Sequence, residues 1–336
     1  MNNYISYKIK NISFILTILV VILHAYNIPD ELPTNAGYFI QRYISYGIAT
    51  IAVPIFFIIS GFLFFYNFES TINNWIKKYK SRFKSLFIPY MIWCTLWIVV
   101  LYLIQLIPFG KSLFSNMILS EFSIKKIIEY TYVNPIPFQL WYIADLIKCV
   151  IVSPVIYYLV KKIGKVSGPI LIILWFFRIL EFSISLFSLG AFIAINNIQF
   201  NVKVKKTTYI IIAIIFLSLN FIKIYFSSSQ SVYLDMLSQI VIILGMISIW
   251  IGYDQYSIKL NSFFDITKYS FFIYLCHEPL QSVIIRILLK LLSNIYMKYM
   301  IVYVISPILT IFICIVIAKF LDKYMNKLYK ILTGGR

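Results

Sequence analysis

The stretch Ile48–Phe65, which reads IATIAVPIFFIISGFLFF, contains no charged side chain. A helix of roughly 20 apolar residues is long enough to cross the hydrocarbon core of a bilayer. Three further stretches, at 12–23, 86–106 and 307–318, are equally free of charge. Long apolar runs of this kind predict transmembrane helices, and they decide the class of fold.

The composition extends this prediction to the whole chain. Of 336 residues, 61% are hydrophobic and only 12% are charged, about half the charged share of a soluble domain. A water-soluble fold of this size cannot bury so much apolar surface. We therefore predict an all-α, polytopic transmembrane helix bundle, a single domain over residues 1–336 with no soluble domain. About ten spans are predicted, at residues 10–27, 43–67, 85–107, 139–160, 167–182, 184–200, 207–226, 234–252, 268–289 and 299–320. The fifth and sixth are short, and their junction at Ser183–Gly190 carries only a weak helix-breaking signal.

The formal net charge of +18 raises the question of nucleic-acid binding. The basic residues lie in short loops between apolar runs and do not follow one amphipathic face, which excludes that interpretation. One such loop contains Lys77, Lys78, Lys80, Arg82 and Lys84. Alternate loops contain most of the lysines and arginines, and positive charge marks cytoplasmic loops. The pattern predicts that both termini are cytoplasmic.

The chain has two histidines, His24 and His277, and both lie within predicted spans. A titratable side chain inside a bilayer costs about 2–3 kcal/mol or more unless it is paired or faces a wet cavity. One interpretation is a histidine that hydrogen-bonds a neighbouring helix. The other is a general base or proton carrier, because histidine titrates near physiological pH. Glu278 and Pro279 directly follow His277, and such a cluster is not expected to face lipid.

Two pairs of opposite charges also fall within predicted spans. Asp145 and Lys148 are three residues apart, as are Arg178 and Glu181, so each pair can share one helix face. Local charge neutralisation is the favoured interpretation. The alternative is that Lys148 or Arg178 binds the phosphates of a ligand. Arg286 is expected near the outer interface, where it would extend to water.

Four motifs lie in order along the chain. The first span ends in His24-Ala25, and the second contains Phe-Phe-Ile-Ile-Ser-Gly-Phe-Leu (56–63) after Pro54. Leu-Trp-Tyr (140–142) opens the fourth, and Ile-Tyr-Leu-Cys-His-Glu-Pro-Leu (273–280) lies in the ninth. Each motif alone is weak because apolar residues dominate it, whereas the ordered set covers essentially the whole chain and resembles the acyltransferase-3 family of integral membrane O-acyltransferases.

The resemblance implies acyl transfer. His24 would be the general base that activates a hydroxyl, and His277 would position the donor thioester or stabilise developing charge. Contacts with the hydroxyl-bearing substrate or the acyl donor are expected from Lys10, Ser60, Trp141, Tyr142, Lys148, Arg178, Tyr274 and Glu278. For Ser60 and Tyr274, an ordinary hydrogen bond between helices is an equally good interpretation.

The resemblance also implies the partners and the location. The acyl donor would be acetyl-coenzyme A, a substrate and not a bound cofactor, and no metal site is expected. The acceptor would be a sugar hydroxyl on a surface polysaccharide or a lipid-linked glycan. The protein would be a multi-pass protein of a bacterial plasma membrane.

The sequence departs from the family pattern at Ser13, where the family commonly has an arginine, and at Gln139, where it often has a histidine. Lys10, one turn before Ser13 on nearly the same helix face, is a candidate replacement for the arginine's charge, although a lysine lacks the guanidinium fork. Two other functions stay open. One is a transporter or flippase for lipid-linked sugars, and the other is an inactive family member that acts as an assembly subunit.

Overall fold

The computed structural model describes residues 3–29, 36–107, 118–198, 204–227, 232–256 and 266–335. Within these residues the regular secondary structure is helical throughout. The α-helices are α1 (Asn3–Leu23), α2 (Ala36–Arg42), α3 (Ala52–Phe65), α4 (Ile72–Arg82), α5 (Ile88–Gln105), α6 (Ile124–Ile128), α7 (Trp141–Ile151), α8 (Ser153–Ile163), α9 (Ser167–Phe176), α10 (Phe182–Ile195), α11 (Lys206–Tyr225), α12 (Val232–Tyr256), α13 (Ser270–Leu291), α14 (Lys298–Tyr324) and α15 (Asn326–Thr333). Short π-helical and 3-10 turns join α2 to α3 and α4 to α5.

Seven helical segments in the described residues are long and apolar enough to cross a membrane. They are Asn3–Leu23, Ala36–Phe65, Ile72–Gln105, Lys206–Tyr225, Val232–Tyr256, Thr267–Leu291 and Lys298–Tyr324. Each overlaps one predicted span, so the helical bundle is confirmed for these segments. The count becomes eight if a bent pair, Phe138–Ile151 and Ser153–Phe176, is one span. The count of ten and the orientation of the termini stay predictions.

The middle of the chain, residues 139–198, differs from the expected regular hairpins. The predicted span at 139–160 is broken at Val152, beside Pro154, and the flanking helices meet at 61°. The break expected at Ser183–Gly190 is wrong, because α10 runs through that stretch. The chain turns earlier, at 177–181, where Arg178 has a φ of 55°. Helices α7 to α10 are 10–14 residues long, or about 15–21 Å, shorter than a bilayer core of about 30 Å. The end of the span predicted at 184–200, residues 199 and 200, lies outside the described residues.

The closest helix crossing joins α3 to α10 through two glycines. A Cβ atom added at Gly61 would lie 2.0 Å from the Phe187 carbonyl oxygen, and one added at Gly190 would lie 2.1 Å from the Ile58 carbonyl oxygen. Small residues let helix backbones approach closely in membranes. The close approach at Gly61 is therefore to a neighbouring helix, α10. Because α3 also packs against α1, this crossing positions the motif around Ser60 beside α1.

We expect Gly61→Ala to destabilise the protein by about 1–3 kcal/mol, because the new methyl group would collide with backbone atoms that cannot rotate away. Thermal unfolding in detergent measures the effect. Gly252→Ala in α12 is the matched control, since its methyl group would meet the tip of the Tyr209 side chain, 2.7 Å from the hydroxyl. Equal melting temperatures for the two variants would contradict this account of the α3–α10 crossing.

Candidate active site

His24 lies in the turn that directly follows α1 and is half-buried. Its amide N–H donates to the carbonyl oxygen of Val20, so the turn continues the helix. The centroid of its ring lies 4.9 Å from that of Phe138, edge to face, and 5.4 Å from that of His277. The structure therefore brings the two predicted catalytic residues together from opposite ends of the chain.

His277 is fully buried in the middle of α13. Its Nδ1 atom lies 2.7 Å from the carbonyl oxygen of Tyr274 and 3.1 Å from that of Ile273. Because both partners are acceptors, Nδ1 carries the proton in this arrangement. The Nε2 atom has no hydrogen-bond partner within the described part of the chain. The helix backbone thus fixes the tautomer of the ring and leaves Nε2 as an acceptor.

A buried glutamine connects the two histidine-bearing helices. Gln281, one turn after His277, is fully buried, and its Nε2 atom donates to the carbonyl oxygen of Val21 over 3.0 Å. Val21 lies three residues before His24. The hydrogen bond therefore fixes the axial position of α1 relative to α13 beside the histidine pair. The sequence analysis missed Gln281, although its spacing of four from His277 places it on the same helix face.

One cavity, the His24 cavity, has a volume of about 380 Å³. Its lining includes His24, Tyr26, Glu278, Ser282 and Arg286. The Ser282 hydroxyl donates to the Glu278 carboxylate over 2.7 Å. Arg286, which is predicted to lie near the outer interface, is in the wall of this cavity. Polar groups of both signs therefore surround the imidazole of His24.

The second, the Ser60 cavity, has a volume of about 310 Å³. It brings together four of the predicted binding residues, Lys10, Ser60, Tyr142 and Tyr274. The hydroxyls of Ser60 and Tyr142 lie 3.0 Å apart, and the Tyr274 hydroxyl donates to the carbonyl oxygen of Gln139. The hydrogen bonds expected between helices are confirmed here, and the same side chains line the cavity.

Helix α1 connects the two cavities. Lys10, Ser13 and Thr17 line the Ser60 cavity, and His24 lines the other. Eleven residues separate Ser13 from His24, or about 16 Å along a helix. Lys10 and the departure from the family pattern, Ser13, thus lie in the same wall. Lys268, which pairs with Asp322 over 3.1 Å, adds a second basic side chain to this cavity.

Three predicted binding residues line neither of these cavities. Trp141 packs against Phe57, with ring centroids 6.3 Å apart. Lys148 is exposed and pairs with Asp145 over 2.7 Å, so the expected neutralisation within one helix is confirmed. The Arg178–Glu181 pairing was wrong.

Arg178 forms two hydrogen bonds, of 2.8 and 3.0 Å, with Asp235 of α12. It lies in a turn beyond the end of α9, where φ is positive, and this directs its side chain away from its own helix. Glu181 caps α10, accepting from the amide of Ile184 over 3.0 Å. The partner of Arg178 is therefore Asp235, on a helix distant in sequence, and not Glu181 three residues away.

The sequence analysis also missed Lys8, the largest fully buried side chain. Its ammonium lies 2.7 Å from the Asp254 carboxylate and 4.0 Å from the centroid of the Trp250 ring. Asn11, one turn later, donates to the Tyr253 hydroxyl over 2.8 Å. Lys8 and Asn11, polar residues three apart near the start of an apolar helix, were the sequence signal for this contact. They hold α1 against α12.

A family model described as an acyltransferase domain, that of the acyltransferase-3 family, matches residues 7–319. The chain therefore belongs to the acyltransferase-3 family, and it is a multi-pass membrane protein. It is similar to the succinoglycan biosynthesis protein ExoH of Rhizobium meliloti (strain 1021), at 25% identity over 175 residues. That match covers 50% of this chain and 46% of ExoH, so the chain spans about half the length of this relative. No solved structure matches the chain.

We expect Gln281→Leu to lower kcat for acyl transfer about 10- to 100-fold, because a displacement of about 1 Å between reacting groups costs this much. KM for the acyl donor should change little, because Gln281 lines neither of the two cavities. Steady-state kinetics of the purified protein separate the two constants. Gln239→Leu is the matched control, another buried glutamine, in α12, that lines neither cavity. Equal losses of kcat in both variants would contradict the positioning role.

Proposed function

We propose that this protein is a membrane O-acetyltransferase that transfers an acetyl group from acetyl-coenzyme A to a sugar hydroxyl. The acceptor would be a surface polysaccharide or its lipid-linked precursor, and the membrane a bacterial plasma membrane. The observation that carries the proposal is the pairing of His24 with His277 beside a polar cavity. The likeness to a succinoglycan biosynthesis protein supports the class of acceptor.

In the proposed reaction, His24 is the general base. It takes the proton of the sugar hydroxyl as the oxygen attacks the thioester carbonyl carbon. An ester C–O bond forms, the thioester C–S bond breaks, and the proton passes from His24 to the departing thiolate. His277, whose ring is held by the two carbonyls of its own helix turn and whose Nε2 is an acceptor, positions the thioester or stabilises the positive charge that develops on the imidazole of His24.

The two cavities suggest how the substrates are divided. The acceptor would bind in the His24 cavity, where Glu278, Ser282 and Arg286 offer hydrogen bonds to sugar hydroxyls. The donor would bind through the Ser60 cavity, where Lys10 offers a positive charge to the coenzyme's phosphates. Lys10 would then supply the charge that Ser13 lacks. With the N-terminus cytoplasmic, the donor enters from the side on which acetyl-coenzyme A is made.

We expect His24→Gln to lower acetyl transfer at least 100-fold, the usual contribution of a general base. Membranes containing the protein would receive labelled acetyl-coenzyme A and a panel of glycans, and label in the glycan would be counted. Lys148→Gln is the control, because Lys148 is exposed and lines neither cavity. Each variant is compared at matched amounts of folded protein.

Full transfer by His24→Gln would contradict the role as base. Movement of a lipid-linked sugar across the membrane without acetylation would instead support the transporter or flippase. The assembly subunit would be supported by a third result. Glycan assembly would require the protein, no label would be transferred, and substitutions at His24 would have no effect.

A further inference from the structure

A groove separate from the His24 and Ser60 cavities opens on the surface of the bundle between α4 and α7. It has a volume of about 520 Å³ and lies between the end of α4, with the turn Phe83–Phe87, and the last residues of α7. Its floor includes the buried side chains of Leu86 and Val150. The Tyr79 hydroxyl donates to the carbonyl oxygen of Ile151 over 3.2 Å and so joins the two walls.

The apolar residues at the rim of the groove are exposed. Phe83 is 54% exposed, Phe87 37% and Ile151 65%. They belong to, or adjoin, helices with the length and composition of membrane spans. Exposed apolar side chains in this position are covered by acyl chains of the bilayer, and a groove between them fits a single chain.

Three basic residues, Lys80, Arg82 and Lys84, line the same groove. Within the part of the chain that the structure describes, no carboxylate pairs with any of them. Lys80 and Lys84 are exposed, and Arg82 is half-buried. The Arg82 guanidinium lies 5.6 Å from the centroid of the buried Phe64 ring and so faces the bundle. Two exposed cations without a carboxylate partner, at the rim of an apolar groove, are complementary to a molecule with an anionic head and a hydrocarbon tail.

We propose that this groove binds an anionic phospholipid, with an acyl chain along Leu86 and Val150 and the phosphate beside Lys80 and Lys84. A soluble phosphate compound would use the cations but leave the apolar floor uncovered. The loop is predicted to be cytoplasmic, and the cytoplasmic leaflet carries the anionic lipids that attract basic segments. The proposal does not depend on the acetyl-transfer reaction.

The test uses the full-length protein in nanodiscs that contain equal parts of phosphatidylglycerol and phosphatidylcholine. Native mass spectrometry after release from the nanodiscs counts the lipids that stay bound. The double variant Lys80→Gln/Lys84→Gln removes two charges, and Lys161→Gln/Lys162→Gln in α8 removes the same number from exposed positions outside the groove. Ile151→Trp keeps the charges and fills the apolar part.

We expect the native protein to retain phosphatidylglycerol in preference to phosphatidylcholine. Retention should fall on the order of tenfold in Lys80→Gln/Lys84→Gln, fall several-fold in Ile151→Trp and stay unchanged in Lys161→Gln/Lys162→Gln. Equal retention of the two lipids by the native protein would overturn the proposal. Equal losses in the two charge variants would also overturn it, because attraction would then be a property of the whole basic surface. Full retention by Ile151→Trp would overturn it as well, because the apolar part of the groove would then not hold the lipid.

Discussion

Inside a bilayer no water is available to a polar group, so each backbone amide and each polar side chain must find its partner within the chain or in a wet cavity. This constraint gives the protein its helical architecture, and it also decides which helices cross. Gln281 donates to the carbonyl of Val21, and Lys8 pairs with Asp254. Both interactions involve α1, which packs against α3, α12, α13 and α14.

The placement of α1 has a chemical consequence. One of its ends lies beside α12 through Lys8, and the other presents His24 to His277. Between them, the helix forms part of the wall of the Ser60 cavity. A shift of α1 along its axis would therefore separate the histidines and change both cavities. Two polar interactions of α1, Lys8 with Asp254 and Val21 with Gln281, therefore hold the proposed reacting groups in place.

How much the sequence could predict depended on the range of each interaction. Seven of the ten predicted spans coincide with long apolar helices, because a bilayer requires a minimum length of a helix that crosses it. The middle of the chain was harder, since helices of 10–14 residues are as apolar as true spans but too short to cross alone. Asp145 and Lys148 were predicted as a pair because one helix turn brings them together. Arg178 was assigned the wrong partner because Asp235 arrives from a distant helix.

The candidate site shows the same division. The motifs predicted His24 and His277 as catalytic residues, and the structure places their rings 5.4 Å apart. The side chains of Lys10, Ser60, Tyr142 and Tyr274, predicted as binding residues, line one cavity. Gln281 and Arg286 were not assigned to the site, because their roles depend on how α13 is rotated against α1. Periodicity specifies a helix face, whereas the neighbour that covers this face is set by tertiary packing.

In the proposed reaction, donor and acceptor reach the histidine pair from opposite faces of the membrane. The most direct measurement uses vesicles in which the protein has one orientation, with labelled acetyl-coenzyme A on one side and a glycan acceptor on the other. We expect acetyl transfer when the coenzyme is on the face that carries the N-terminus and the acceptor is on the opposite face. Transfer that occurs only when both substrates share one side would contradict it.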